Sequence, residues 1–260
     1  MKEKQPSLSC FFPCYNDACT IGGLVAVADR VAQAYTDEYE IIVVDDGSSD
    51  RSREVLIALK AKYPMLKLVF HNRNRGYGGA LQSGLCAATG DLVFYTDGDG
   101  QYDVRELRKL LEAMRADVDV VNGYKIARSD PFHRVVIGKL YLQVMRMLFR
   151  FQVRDVDCDF RLMRRQVLDC ISLTRTSGVI CVELVKKLEL AGARFVNVPV
   201  GHHPRRYGRS QFFHLGRVFR TGIDVLRLWG HIVLIPCILR LFHTRSRSRG
   251  QKSHPFSKGD

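Results

Sequence analysis

The sequence predicts an α/β protein built on a mostly parallel sheet, and three observations carry that reading. Strand and helix signals alternate with short connections through the first half of the chain. Two of the strand signals, EIIVV at 40–44 and DLVFY at 91–95, are short and apolar throughout, as strands covered on both faces should be. Each of them runs straight into an acidic cluster, Asp45-Asp46-Gly47-Ser48-Ser49-Asp50 and Thr96-Asp97-Gly98-Asp99-Gly100-Gln101. Ligands of open α/β sheets bind at the carboxyl ends of the strands, so the two clusters are expected at one edge of one sheet.

In order, Leu8–Phe12 reads as a strand ending at Pro13, and Thr20–Tyr35 as a helix through Leu24, Val27, Ala28 and Val31. After Glu40–Val44, a helix is expected over Asp50–Tyr63, stopped by Pro64, with Asp50 its best cap. A strand at Lys67–Phe70, a helix at Gly78–Thr89, the strand Asp91–Tyr95, a helix at Val104–Arg115 and a strand at Val118–Asn122 complete the regular half. The second half gives a basic helix over Gly138–Phe151, a helix over Ser177–Ala191, a strand at Phe195–Val200 and a long helix from Phe212 to about Val233. The reading divides the chain into a catalytic domain at 7–211, an amphipathic region at 212–243 and a basic disordered tail at 244–260.

A net charge of +13 implies partners rich in negative charge: nucleic acid, anionic lipid or phosphorylated substrates. A nucleic-acid-binding protein would leave both acidic clusters unexplained, so nucleic acid is not expected as a partner. The eight cysteines form no CxxC pair and are expected to be buried, reduced thiols. Neither a signal peptide nor an apolar stretch long enough for a transmembrane helix is expected.

Asp97 and Asp99 stand one residue apart at a strand exit. In extended backbone they share a face and can reach one hard divalent cation, Mg²⁺ or Mn²⁺, with Gln101 close by. Asp45 or Asp46 is expected to point into the cleft, where a carboxylate can accept from a base N–H or a ribose hydroxyl. The glycine-rich run Asn72–Ala80 enters a helix and is expected to let backbone approach a ligand. From Arg217, polar positions at 217, 220, 224, 227 and 231 draw one stripe down a helix whose remaining surface is apolar. That pattern suits a helix lying in a bilayer interface.

Pro13-Cys14-Tyr15-Asn16-Asp17, VVDDGSSD and TDGDGQ, in this order and spacing, resemble the family 2 glycosyltransferases of the Rossmann-like GT-A fold. Within that family the chain is similar to the polyprenyl-phosphate sugar transferases, over about Ser7 to Leu234. The resemblance implies that Pro13, Tyr15, Asp17, Val44 and Asp46 border a nucleotide base. It further implies that Asp97 and Asp99, helped by Gln101, hold the metal against the donor diphosphate, with Gly98 between them in the donor site. Arg205 and Gln211 would belong to a loop closing on that diphosphate, and Lys125, Arg128 and Arg134 would cradle a lipid phosphate. Asp159, before Phe160-Arg161-Leu162, would be the catalytic aspartate and Asp157 its substitute. A phosphate acceptor is already ionised near neutral pH, so Asp159 is expected to orient the acceptor or a basic partner at least as much as to take a proton.

The implied reaction is inverting transfer of a hexose from a UDP- or GDP-sugar to a polyprenyl phosphate; a saccharide or protein acceptor is the alternative. The implied place is the cytoplasmic face of a membrane, with the protein held peripherally on an anionic surface. Whether a membrane-anchoring subunit or a second copy joins it stays open.

Overall fold

The computed structural model describes residues 5–126, 140, 143–205 and 215–235. Among the described residues, seven strands form one sheet in the order β3-β2-β1-β4-β6-β5-β7. They are β1 Leu8–Cys14, β2 Tyr39–Asp45, β3 Leu66–Phe70, β4 Leu92–Thr96, β5 Val120–Lys125, β6 Phe160–Arg164 and β7 Phe195–Val200. The helices are α1 Ile21–Tyr35, α2 Ser52–Lys62, α3 Tyr77–Ala87, α4 Leu107–Ala113, α5 at 143–149, α6 Arg165–Leu168, α7 Ile180–Leu190 and α8 Leu215–Trp229.

The apolar run at 41–44 in β2 has a simple cause, since both faces of the sheet are covered. Ile41 and Val43 pack with α1 and α2 residues such as Leu24, Ala28 and Leu56. Ile42 and Val44 pack on the other face with Ala80, Leu81, Ile180 and Leu184 from α3 and α7. The chain runs β1, β2, β3 to one side, then returns to place β4 on the other side of β1. The crevice at the carboxyl ends of β1 and β4 is therefore the switch point at which α/β sheets bind ligands.

Sequence and structure part in the second half. Strand β6 was not anticipated: it runs antiparallel between β4 and β5, pairing Thr96 with Phe160 and Leu92 with Arg164. Strand β5 extends to Lys125, so Gly123, Tyr124 and Lys125 are strand residues paired with β7 rather than a loop. The helix expected over Val104–Arg115 is a 3₁₀ turn, Val104–Glu106, followed by α4, and it stops at Ala113.

The chain divides into two compact units, Met1–Phe213 and His214–Asp260. In the second, α8 passes into a π-helical turn at Gly230–Leu234, where regular helix was expected. Along it Arg220 and Arg227 are exposed, as are the apolar Phe219 and Leu226. Among the described residues, no helix is long and apolar enough to cross a membrane. The tail expected at 244–260 lies outside the described residues. Cys10, Cys14, Cys158 and Cys181 are buried as expected, whereas Cys19, Cys86 and Cys170 are exposed. Cys86 sits on the outward side of α3, away from Leu81 and Gly84, so its apolar sequence neighbours were a poor guide to burial.

Candidate active site

The loop after β1 and the loop after β4 are built against each other. Pro13 and Cys14 close β1 beside Val44 and Asp45 of β2. A Cβ on Gly98 would lie 2.4 Å from the Pro13 carbonyl oxygen, so only glycine permits this approach. The Thr20 hydroxyl donates to the Gly98 carbonyl at 2.7 Å and ties the turn to the start of α1. Asn16 takes a left-handed conformation at φ 59°, and its side-chain oxygen accepts from Ser49 N and Asp50 N. Tyr15, 40% exposed, lies at the rim. Asp17 accepts from Tyr15 N at 3.2 Å. Burial pushes the Asp17 carboxyl up to about 6, with Asp99 and Asp50 adding to it against the Tyr15 amide and Arg205.

The first acidic cluster is consumed locally. Asp45 is fully buried; it accepts from Ser48 N at 3.2 Å and stands 3.4 Å from the Arg53 guanidinium. Asp46 is 3% exposed, and its Oδ1 accepts from His71 Nδ1 at 2.6 Å and from Arg75 N at 2.8 Å. Asp50 accepts from Ser52 N at 2.9 Å and from Ala18 N at 3.2 Å, but the N-cap position of α2 is Arg51, one residue later than expected. Burial alone would raise the Asp50 carboxyl, but the Ser52 and Ala18 hydrogen bonds prevail and lower it.

In the second cluster Asp99 finds donors, but Asp97 is left with one. Asp97-Gly98-Asp99 lies beyond the end of β4 in a turn, with Gly100 at φ 73°. The carboxylates are thus brought near each other by a turn and not by the shared face of an extended strand. The Tyr77 hydroxyl, from the first residue of α3, donates to Asp97 Oδ1 at 2.8 Å. Burial, then the Asp159 and Asp99 carboxylates, push the Asp97 carboxyl well above the usual carboxylate range, against the Tyr77 hydroxyl and Lys125. Asp99 accepts from Arg205 Nη2 at 2.5 Å and, through Oδ1, from Gln101 N at 3.0 Å. The Gln101 side chain donates to the His203 carbonyl at 3.1 Å, so it braces the segment that carries Arg205.

Strand β6 supplies the other wall. Because Thr96 pairs with Phe160 in antiparallel register, the next residues outward, Asp97 and Asp159, leave the sheet side by side. Asp159 Oδ1 accepts from the Tyr95 hydroxyl at 3.2 Å and from the Cys181 thiol at 3.1 Å, and stands 3.5 Å from the Arg161 guanidinium. Arg161 is fully buried and also donates to Asn122 Oδ1, the Tyr95 oxygen and the Val156 carbonyl. Lys125 donates to the Asp157 carbonyl at 2.8 Å. Burial opposes the Lys125 charge, but Asp155, Asp157 and Asp159 outweigh it and raise its pKa. Asp157 is pushed up to about 7 by burial and by Asp155, against Lys125.

Pro13, Tyr15, Asp17, Asp97, Gly98, Asp99, Gln101 and Arg205 therefore gather around the crevice between β1 and β4, and Asp159, Asp157 and Lys125 border it from β5 and β6. Arg128, Arg134 and Gln211 lie outside the described residues. The glycine-rich loop is corrected: a Cβ on Gly76 or Gly78 would lie 2.7 Å from the Thr176 oxygen or 2.3 Å from the Arg175 oxygen. Those glycines admit the chain's own backbone before α7, and Gly78 N donates to the Thr176 carbonyl at 2.8 Å. Sequence reasoning gave no role to Tyr77, Tyr95 and Cys181, whose partners arrive from other elements. Only the shared strand-end position of Tyr95 could have pointed to one.

The family model described as glycosyl transferase family 2 matches residues 9–172. Glycosyltransferase AglD of Haloferax volcanii is 27% identical over 242 residues, which is 90% of this chain and 38% of that protein. The chain thus spans well under half the length of that relative. Among solved structures, glucosyl-3-phosphoglycerate synthase from Mycobacterium tuberculosis, in complex with Mn²⁺, UDP and glucosyl-3-phosphoglycerate, superposes with a TM-score of 0.65 at 18% identity, over 87% of this chain and 79% of that one. Mannosyl-3-phosphoglycerate synthase from Rubrobacter xylanophilus gives 0.66 at 21% identity, over 87% and 73%. These likenesses are of fold: the architecture is the GT-A form of the Rossmann-like sheet.

Proposed function

The chain belongs to glycosyl transferase family 2, and from that premise we propose that it moves a hexose from a UDP- or GDP-sugar to a polyprenyl phosphate with inversion at the anomeric carbon. The observation that supports the reading is the β4–β6 register, which sets Asp159 beside Asp97, the carboxylates that the reading assigns to acceptor and donor.

A divalent cation fits the residues present. Asp97 is burdened by burial and by two neighbouring carboxylates, an excess of negative charge that a cation relieves. Among the described residues, no three acidic, histidine or cysteine side chains form a cage of their own. Mg²⁺ or Mn²⁺ bound by one or two carboxylates plus substrate phosphates suits such a site. Asp97 and Asp99 would hold it, and when bound it offsets charge developing on the leaving diphosphate. The neighbouring synthase from M. tuberculosis, solved with Mn²⁺ and UDP, supports this choice.

The chain's own side chains do the rest. Arg205, paired with Asp99 in this structure, can exchange that carboxylate for a donor phosphate, which its guanidinium grips in the same forked way. Lys125, kept cationic by the surrounding aspartates, is the described residue suited to meet acceptor phosphate; Arg128 and Arg134, assigned the same part, lie outside the described residues. Asp159, fixed by Tyr95 and flanked by buried Arg161, orients the acceptor rather than serving as a strong base. The amphipathic character of α8 supports peripheral attachment to an anionic membrane surface.

The test is incubation of the protein with labelled UDP- and GDP-hexoses, Mn²⁺ and a polyprenyl phosphate. Label is expected in the organic phase and dependent on Asp97. Label only in a water-soluble product would replace the lipid acceptor by a saccharide or protein.

A further inference from the structure

Three side chains that the reaction above leaves unused stand in a row behind the first acidic cluster. The parallel pairing of Asp45 with Phe70 carries one residue further to set His71 beside Asp46. His71 Nδ1 lies 2.6 Å from Asp46 Oδ1, and His71 Nε2 lies 2.9 Å from the hydroxyl of Ser83 on α3. His71 is 6% exposed, and its backbone is held from both sides, by N–H donation to Asp45 O and by Arg53 donating to its carbonyl.

The order Ser, His, Asp invites comparison with a hydrolytic triad, but the setting is wrong for one. Ser83 lies inside α3, whose N–H groups are spent on the helix itself, so an oxyanion at that hydroxyl would meet no free donors. The row is suited to something else. Asp46 Oδ1 receives two fixed hydrogen bonds, from the imidazole and from Arg75 N at 2.8 Å. Both fall on one oxygen, which fixes the rotation of the carboxylate and sets the direction in which the other oxygen is presented. Ser83 sits at the far ring nitrogen and holds the ring with Nδ1 turned to Asp46.

We propose that His71, held by Ser83, is a positioning residue for Asp46, aligning that carboxylate to accept a hydrogen bond from the base of the nucleoside diphosphate. The inference rests on the donor reading given above and extends it, because it adds a buried supporting residue, His71, behind the carboxylate that meets the base. It makes a prediction that a merely supportive role does not: His71 matters to ligands that carry a base and is indifferent to those that carry only the diphosphate.

The experiment is calorimetric titration of wild type, His71→Ala, His71→Asn and Ser83→Ala with UDP, GDP and inorganic pyrophosphate, each with Mn²⁺. His71→Ala is expected to weaken the preferred nucleoside diphosphate roughly tenfold, the scale of one hydrogen bond to a charged group, and to leave pyrophosphate within about twofold. His71→Asn, which keeps a donor near the place of Nδ1, is expected to recover most of the loss, and in turnover KM should rise with kcat nearly unchanged. Should His71→Ala fail to fold, Ser83→Ala and His71→Asn carry the test, with a loss of about threefold confined to the nucleoside diphosphate expected for Ser83→Ala. Equal weakening of pyrophosphate, or unchanged nucleotide affinity in Ser83→Ala and His71→Ala, overturns the proposal. Wild-type protein that binds pyrophosphate but neither nucleotide overturns the donor reading itself, and this inference with it.

Discussion

Two acidic clusters follow two buried parallel strands and look alike in the sequence, yet the fold treats them in opposite ways. After β2, each aspartate finds donors within its own neighbourhood: Ser48 N and Arg53 for Asp45, His71 and Arg75 N for Asp46, Ser52 N and Ala18 N for Asp50. After β4, Asp97 has one phenolic donor and two carboxylate neighbours, and its carboxyl is driven upward. Carboxylates given fixed donors are held in one orientation, Asp46 most firmly. A carboxylate such as Asp97, short of donors and beside other carboxylates, pulls in a cation or a proton. The difference lies in what stands opposite: β2 is flanked by the hydroxyls and amides of a helix entry, whereas β4 is flanked by β6, which brings a further aspartate.

The sharpest way to break this contrast is to neutralise one member of the second cluster. Asp97→Asn is expected to lower kcat/KM by about 10² to 10³, the scale of losing one charge-stabilising group in a prepared site. The same variant, measured without metal or nucleotide, should melt higher than wild type, because it removes a charge that burial and Asp159 oppose. Thermal melts and steady-state kinetics on one preparation check both signs. An Asp97→Asn protein that melts lower and keeps its turnover would put both clusters in the same class.

The mirror experiment addresses the first cluster. Asp45→Asn weakens the ion pair with Arg53 and the hydrogen bond from Ser48 N inside a buried site. The expected cost is about 1–3 kcal/mol of stability, seen as a lower urea midpoint. Turnover per folded molecule should stay within about threefold of wild type, since an effect below 1 kcal/mol on the barrier is expected. Loss of turnover at unchanged stability would move Asp45 from architecture to chemistry.

The contrast also marks where the sequence was readable. The β1–α3 half could be read because its signals are local: β-branched runs, an acidic turn before α2, a stop at Pro64. The β5–β7 half could not, because its decisive feature is a pairing between residues 96 and 160. Strand β6 was hidden by Arg161, a charge that reads as solvent-facing but is fully buried, with its donors spent on Asn122, Tyr95 and Val156. The residues of the metal pair were legible, but not their geometry, since a DGD sequence serves an extended strand and a turn equally well. The glycine loop failed for a related reason: a close approach announces itself in sequence, but what approaches does not. Here it is the backbone at Arg175 and Thr176.

The smallest expected effect follows the same electrostatics into the acceptor side. Asp157 has its carboxyl pushed up to about 7 by burial and Asp155, whereas in the unfolded chain it titrates near 4. A raised folded pKa means that the native state holds a proton the unfolded chain has released. That contribution to stability is complete below about pH 4 and lost as pH rises through about 7. Asp157→Asn has no proton to release, so its stability relative to wild type should climb across that window and level off above it. Paired melts of the two proteins at closely spaced pH values would show the gap widening by a few degrees. A constant gap would mean that Asp157 is ionised throughout, with Lys125 compensating it fully, and the acceptor side would then resemble the self-satisfied cluster after β2.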